Sequence, residues 1–292
     1  MSSIAILKLE KYCIPILCCV LYVVSSELAS ACDLKMGYRT TARLPNIEAE
    51  PSNAGLYFDL YSQAAKMVSC NLVVIRMPKK RILRGIQEGT IDFYPGLTYS
   101  DIRSDYIFFF ENGLPSLDVG LSRIELGDIS SYYDLENKVV LLALGGPELP
   151  TRADKYGYIV RTSPELSFEK AVNIILEGKA DFYEDDIGTL SFYLKDRPRK
   201  TELKYHFNCC GGPKVLTLGF SRSSTHYSEE LNSDYDPTMA QSPYNLPIRL
   251  AQNSKAKSFY QALRKLKTEG FTDSLYERYY GIHPIKVLKG NE

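Results

Sequence analysis

The sequence has no excess of charge of either sign and few histidines. Lysine plus arginine and aspartate plus glutamate both total 35, so no global charge draws the protein to nucleic acid or to an anionic membrane surface. Histidine occurs only at His206, His226 and His283, and neither a CxxC nor an HExxH spacing is present. The sequence therefore predicts no metal site, no cofactor and no nucleic-acid partner.

Long apolar runs are missing as well. The run from Ile14 to Val24 has 11 residues, well short of the roughly 20 that cross a bilayer as a helix. It follows two lysines and precedes the small residues Ala29 to Ala31, a pattern typical of a secretory signal. We predict a signal peptide over residues 1–31. A lipid anchor at Cys32 is the second interpretation, because LASAC loosely resembles a bacterial lipoprotein cleavage site.

Four cysteines follow the predicted leader, and export would place them where disulfides form. Cys32 directly precedes the strand-like DLKMGY, and Cys70 directly precedes NLVVIRM. If these segments are adjacent parallel strands, the two sulfurs meet at the same sheet edge. We predict a Cys32–Cys70 disulfide, which leaves Cys209 and Cys210 either free or joined to each other.

Strand and helix patterns alternate in two successive halves of the remaining chain. The phrase EGTIDFY at 88–94 returns as EGKADFY at 177–183. Each copy follows an amphipathic helix that a glycine ends, and each begins a strand. This alternation predicts parallel-sheet α/β lobes with right-handed crossovers. The Asp-Phe pairs of the repeat are then scaffold: Asp92, Phe93, Asp181 and Phe182.

Four segments occur in an order that is typical of one protein family. GLYFDLYSQAAKMV places Asp59 at a helix start, and GTIDFYPGLTYSDIR ends a strand before Gly96, Thr98 and Arg103. EGKADFYEDD ends a second strand in Asp186, and ALRKLKTEGFTDSLYERYYG follows near the C-terminus. With these segments the chain resembles the periplasmic solute-binding proteins of bacterial ABC importers, in the polar amino-acid-binding group that includes glutamine-binding protein.

This resemblance implies an α/β fold, the type II periplasmic binding protein fold, with two parallel-sheet lobes joined by a two-crossing hinge. It places lobe 1 at 32–115 and 221–292, lobe 2 at 116–220, and a loop-like insertion at 223–254. The two hinge crossings would lie near 112–121 and near 218–223. It implies a monomer in the periplasm of a Gram-negative bacterium that binds an amino-acid-like or small anionic solute without catalysis. An ABC permease in the inner membrane would be its partner.

The resemblance also assigns a ligand site between the lobes. Arg103, with Thr98 and the loop that Gly96 opens, would bind the ligand's α-carboxylate, because a guanidinium fork matches a carboxylate. Asp186 on the opposite lobe would receive an α-ammonium group. An approximate alignment adds Arg39, which makes the lobe 1 side of the cleft cationic and favours an anionic or polar ligand.

Two stretches of the chain depart from the family pattern, one in each lobe. After the first strand of lobe 2, Gly146 and Pro147 stand where the family has a hydroxyl and an N–H donor, which weakens the prediction of an α-amino-acid ligand. In lobe 1, the approximate alignment also places Lys79 at a cleft position, where it would add to the cationic lobe 1 side. Lys79 and Lys80 are instead interpreted as exposed residues in the first turn of a helix, because exposed lysine is the usual case.

Two alternative functions stay open on the sequence. A sensory binding module would have the same cleft but act through a membrane receptor. A dehydratase of small carboxylic acids on this fold would need an acid or base in the cleft, for which Glu148, Glu184 and Asp185 are the candidates. The chain lacks a histidine or cysteine with the surroundings of a nucleophile, so we predict a binding protein rather than an enzyme.

Overall fold

The computed structural model describes residues 32–143, 149–163 and 166–289. The predicted leader, the turn at Gly146 and Pro147, and Glu148 lie outside the described residues. Among the described residues, no helix combines the length and apolar character that crossing a membrane requires.

The first sheet carries the beginning of the described chain and one later strand. Its strands are β1 (Cys32–Tyr38), β2 (Cys70–Arg76), β3 (Phe93–Tyr94), β4 (Ile107–Ser116) and β10 (Lys214–Ser221). They lie in the order β2-β1-β3-β10-β4. β1 and β3 are parallel, whereas β10 runs antiparallel to both of its neighbours.

The second sheet is built from the middle of the chain. Its strands are β5 (Asp118–Arg123), β6 (Val139–Ala143), β7 (Ile159–Ser163), β8 (Phe182–Asp186) and β9 (Leu203–His206). They lie in the order β7-β6-β8-β5-β9, with β6 parallel to β7 and to β8. β5 runs antiparallel to both β8 and β9. Each sheet is therefore mixed: it combines parallel strands, which the alternating pattern predicts, with one strand antiparallel to both of its neighbours.

Helices cover the sheets and connect their strands. They are α1 (Leu56–Met67), α2 (Lys79–Gln87), α3 (Asp101–Ser104), α4 (Leu149–Tyr156), α5 (Phe168–Leu176), α6 (Ile187–Leu194), α7 (Lys255–Thr268), α8 (Phe271–Tyr280) and α9 (Pro284–Lys289). Short 3₁₀ turns lie at Tyr132–Leu135 and Lys200–Glu202. Ser254 is the N-cap of α7, and its side chain accepts a hydrogen bond from the Lys257 amide. Its buried stripe repeats at helical spacing, which fixes the face that turns inward: Phe259, Ala262, Leu263 and Leu266.

Aromatic rings fill the core between the first sheet and its helices. Phe93 lies with its ring centroid 5.1 Å from that of Tyr61 on α1 and 5.3 Å from that of Phe259 on α7. All three side chains are fully buried. Burying side chains of this size contributes most of the stability of such a core.

The chain crosses between the sheets twice. The first crossing is at Leu117, between β4 and β5, and falls inside the predicted hinge at 112–121. The second lies at 207–213, between β9 and β10, and precedes the predicted 218–223 because Val215 and Thr217 of β10 already pair with β4. A hydrophobic strand pattern does not reveal which sheet a strand joins, so the lobe bounds at 115 and 220 stay a prediction.

The segment 223–254 contains a small two-stranded sheet rather than loops throughout. Its strands are β11 (Glu229–Leu231) and β12 (Ile248–Leu250), paired antiparallel. Each strand has three residues, too few to show an alternating pattern in the sequence.

The repeated phrase has the same structural role in both sheets. Asp92 accepts a hydrogen bond from the Lys35 amide of β1 at 2.7 Å, and Asp181 accepts one from the Val139 amide of β6 at 2.8 Å. Each aspartate therefore ties the beginning of its strand to the neighbouring parallel strand. Phe93 and Phe182 follow them and are fully buried, as expected of scaffold residues.

The four cysteines among the described residues form two disulfides. Cys32 and Cys70 are bonded to each other, which confirms the predicted pairing. β1 and β2, which begin at these residues, are adjacent in the first sheet. Cys209 and Cys210 form a disulfide between sequence neighbours, with both residues buried in the second crossing.

His206 is a buried neutral histidine on β9. Its Nδ1 accepts the Ile129 amide at 3.1 Å, so the ring proton lies on Nε2, 2.8 Å from Ser122 Oγ. Burial, with the nearby Lys204 ammonium adding to it, lowers the pKa of His206 to about 4. Protonation of this ring would break the bond to the Ile129 amide.

We predict a stability loss in mild acid that depends on His206. Because its folded-state pKa lies below the unfolded value of about 6.5, the unfolded state binds more protons between pH 6.5 and 4, and stability falls as the pH falls through that window. The free energy of unfolding, measured with urea at pH 7 and pH 4.5, should drop by about 2 kcal/mol more in the wild type than in His206→Gln. Equal drops in the two proteins would contradict this assignment.

Candidate functional site

A cleft of about 160 Å³ opens at the C-terminal ends of parallel strands from both sheets. Tyr38 at the end of β1 and Tyr94 at the end of β3 line it from the first sheet, and Asp186 at the end of β8 lines it from the second. α8 contributes Tyr276 and Tyr280. In open α/β sheets this edge is the usual place for a ligand.

Three cations line one side of the cleft: Arg39, Arg43 and Lys79. We call these residues the cationic side. Burial lowers the pKa of the Lys79 ammonium, and the charges of Arg39, Arg103 and Arg43 lower it further. Lys79 is half-buried, which corrects its interpretation as an exposed helix residue. A bound anion would offset the repulsion among these charges.

Arg76 holds the loop that carries Arg39 and Arg43. Its guanidinium donates five hydrogen bonds, to the backbone oxygens of Arg39, Thr40, Thr41 and Glu48 and to Asn53 Oδ1. It also lies 5.7 Å from the centre of the Tyr38 ring, within the range of a cation–π contact. The planar fork uses all five of its donors, so one side chain fixes both ends of the loop at 39–53.

Three tyrosines border the cationic side: Tyr38, Tyr57 and Tyr94. Within the described residues, none of their hydroxyls hydrogen-bonds to the protein. Burial raises the pKa of Tyr38 to about 12, so at neutral pH its hydroxyl stays protonated and can donate a hydrogen bond. This face of the cleft is therefore rich in both positive charge and donors.

Gly96 is needed for the shape of this face. Its φ of +62° is a left-handed conformation, and a Cβ there would lie 2.5 Å from the Tyr57 hydroxyl. Glycine therefore keeps the Tyr57 hydroxyl clear of the backbone.

Asp186 lies opposite and is tied into the protein by hydrogen bonds. Its two carboxylate oxygens accept five of them, from Ser116 Oγ, Leu117 N, Gly188 N, Thr189 N and Tyr276 OH. A carboxylate offers about four lone-pair sites, so these donors occupy it fully. Burial raises the pKa of Asp186, although the Ser116 and Tyr276 hydroxyls oppose that shift.

Asp185 is the other acid in the lining. It accepts the Tyr183 hydroxyl at 2.6 Å and the Asp186 amide at 2.8 Å. Desolvation by the cleft walls opposes the shift, but Tyr38 and then Asp185 outweigh it, so the pKa of Arg43 is raised overall. Arg43 is exposed to solvent, so its attraction to Asp185 acts across water and is weakened by it.

The structure brings together some of the predicted site residues. Arg39, Gly96 and Asp186 line the cleft, whereas Thr98 and Arg103 are not among its lining residues. Arg103 Nη1 donates to the Thr98 carbonyl at 2.9 Å. Their roles in ligand binding stay a prediction.

Sequence reasoning missed several lining residues. Arg43 lies in a loop with no family signature, and the lining tyrosines are scattered over β1, α1, β3 and α8. The signal that was available is the count of 22 tyrosines, which does not say where they meet. Of the acids considered for catalysis, Asp185 lines the cleft, and Glu184 accepts the Tyr132 hydroxyl at 2.7 Å. Among the described residues, no cluster of His, Cys, Asp and Glu could hold a metal ion.

Comparison with solved structures identifies the fold. The chain is similar to an ancestral arginine-binding protein bound to arginine, at 18% identity and a TM-score of 0.57, covering 85% of this chain and 98% of that one. The chain has the type II periplasmic binding protein fold. The second substrate-binding domain of Lactococcus lactis GlnP, in its open conformation, has this fold at 15% identity and a TM-score of 0.56, covering 87% and 97%.

A ligand-binding core shares the type II fold as well. The GluR0 ligand-binding core of Nostoc punctiforme, in complex with L-glutamate, matches at 19% identity and a TM-score of 0.58, covering 85% of this chain and 98% of that one. No protein-family model matches the chain, and no curated protein matches it in sequence. At these identities the type II fold is shared, and the ligand has to be argued from the side chains.

Proposed function

We propose that this protein is an extracytoplasmic solute-binding protein that captures a small polar solute in the cleft and delivers it to an ABC permease. The observation that carries the proposal is the cationic side, three positive charges gathered at the sheet edge where ligands bind in this fold. Charged clefts of one sign attract and orient ligands of the other sign.

The comparisons support this role. Similar structures are named for binding arginine, glutamate or a substrate. Two disulfides are typical of a protein that folds outside the cytoplasm, in agreement with the leader predicted at 1–31. The proposal includes no catalysis: a bound solute should be recovered chemically unchanged.

A thermal-shift screen tests the proposal. The panel contains amino acids, mono- and dicarboxylates, sulfonates and phosphate esters. A ligand stabilises the folded state by RT ln(1 + [L]/Kd), so we expect at least one anionic or zwitterionic compound to raise the Tm. For that compound, Arg39→Ala and Arg43→Ala should each raise Kd by roughly tenfold or more, because each removes a charge-assisted contact.

Arg84→Ala is the matched control. Arg84 lies exposed on α2 and pairs with Glu88 one helical turn away, so its loss should leave Kd unchanged. A panel in which nothing stabilises the protein would count against the proposal. A ligand whose Kd is insensitive to both cleft arginines would show that the cationic side is not the site.

A further inference from the structure

The two sides of the cleft differ in what they can still bind. Asp186 accepts five hydrogen bonds from the protein itself, so it has no lone pair left for a ligand. The cationic side, by contrast, carries three positive charges and is bordered by three tyrosines whose hydroxyls do not bond to the described protein.

Tyr276 donates one of the five hydrogen bonds that the Asp186 carboxylate accepts. Its hydroxyl lies 2.9 Å from Asp186 Oδ1, and its side chain is 1% exposed. It is on α8, a helix that packs against α1 and β4 of the first sheet and also reaches α6 beside the second sheet. The hydroxyl rests against Gly188, where a Cβ would collide with it. Glycine at 188 therefore makes room for a tyrosine that bridges the two sides of the cleft.

Burial keeps this donor protonated. It raises the pKa of the Tyr276 hydroxyl, and the Asp186 carboxylate raises it further. A neutral hydroxyl thus stays on Asp186 throughout the physiological range.

The remaining acid is poorly placed for a ligand ammonium group. Asp185 already accepts two hydrogen bonds, from Tyr183 and from the Asp186 amide. It also lies within the electrostatic reach of Arg43. An ammonium group at Asp185 would therefore be repelled by the Arg43 guanidinium, and this repulsion would grow as water leaves the cleft.

We propose that the cleft selects small carboxylate anions that lack an α-amino group, and that the Tyr276 hydroxyl sets this preference by occupying Asp186. The carboxylate groups of the ligand bind to the cationic side and to the tyrosine hydroxyls around it. The cleft volume of about 160 Å³ fits an acid of a few carbons, since a water molecule takes about 30 Å³ of the liquid. This inference rests on the proposed solute-binding function and names its substrate class.

Calorimetry with matched pairs of acids tests it. The pairs differ only in an α-amino group: propionate and alanine, succinate and aspartate, glutarate and glutamate. We expect the wild type to bind the member without the amino group more tightly in at least one pair, by roughly tenfold or more. Tyr276→Phe removes the hydroxyl donor from Asp186 Oδ1 and leaves on that oxygen the Gly188 amide at 2.9 Å and the longer Thr189 contact at 3.3 Å. An ammonium group can then take the place of the hydroxyl, and the preference should shrink by roughly tenfold.

Tyr279→Phe is the matched control on the same helix. The Tyr279 hydroxyl donates to Asp59 at 2.8 Å and does not line the cleft, so its loss should leave the preference as it is in the wild type.

The outcomes separate this inference from the proposed function. A wild type that binds the amino member of the pairs more tightly overturns the inference and leaves solute binding standing. A preference that is the same in Tyr276→Phe as in the wild type overturns the role of Tyr276. If no acid of any pair binds, the carboxylate assignment is overturned, and solute binding itself fails only if the wider panel also stabilises nothing.

Discussion

Replacing Asp186 by alanine should lower the free energy of unfolding by about 3–5 kcal/mol. The carboxylate accepts hydrogen bonds from Ser116 and Leu117 at the first crossing, from the first amides of α6, and from Tyr276 on α8. Its loss would leave several of these donors unpaired in a largely buried place, and it would remove the N-cap of α6. Urea denaturation at pH 7 measures the effect.

Two further variants sharpen this test. Asp186→Asn keeps the volume and one acceptor oxygen, so its loss of stability should be smaller than that of Asp186→Ala. The neighbouring Asp185 carboxylate accepts only two hydrogen bonds. Asp185→Asn should therefore lower the free energy of unfolding by less than either Asp186 variant. If Asp186→Ala unfolds as readily as the wild type while losing ligand affinity, then Asp186 is a ligand-binding residue and not a structural tie.

Replacing Arg76 by methionine should release the loop at 39–53. Methionine keeps the apolar stem of the side chain but donates none of the five hydrogen bonds that hold this loop. We expect a loss of about 2–4 kcal/mol in the free energy of unfolding. We also expect faster amide exchange at 39–53 and weaker ligand binding, because Arg39 and Arg43 would no longer be held in place.

Arg76→Lys and Arg84→Met serve as controls for this second prediction. Lysine keeps the charge but has a single ammonium in place of the fork, so its effect should lie between those of the wild type and Arg76→Met. Arg84 is exposed on α2, and its replacement should leave exchange at 39–53 unchanged. Loop exchange that does not change in Arg76→Met would contradict the role given to Arg76.

Much of the fold could be predicted from local sequence patterns. The repeat at 88–94 and 177–183 marks equivalent strands because Asp92 and Asp181 each tie their strand to its parallel neighbour. The Cys32–Cys70 disulfide followed from two adjacent strands that begin at these residues. Periodicity and turn chemistry are local properties, so the sequence displays them directly.

The pairing of distant strands was harder to predict. β10 joins the first sheet by pairing with β4, more than 90 residues earlier in the chain. Its pattern of apolar residues fits either sheet, so the sequence places the second crossing too late. Assignments of this kind depend on contacts that no local window contains.

The sequence predicted some of the residues that line the site, but not the hydrogen bonds that hold them. Arg39 and Asp186 reach the cleft from the ends of strands, where the resemblance places them. The sequence does not indicate that Tyr276, 90 residues after Asp186, donates to its carboxylate. It also does not indicate that Arg76 positions Arg43 from a neighbouring strand, since hydrogen-bond networks among distant residues leave no periodic signal.

Native mass spectrometry tests the central claim most directly. The wild type and the double variant Arg39→Ala/Arg43→Ala are incubated with the mixed panel of small polar solutes and analysed without denaturation. We predict that the wild type carries one small molecule per chain, released as an anion on activation, and that the double variant carries none. A wild type with no bound solute, or a double variant that retains it at the same occupancy, would contradict the account.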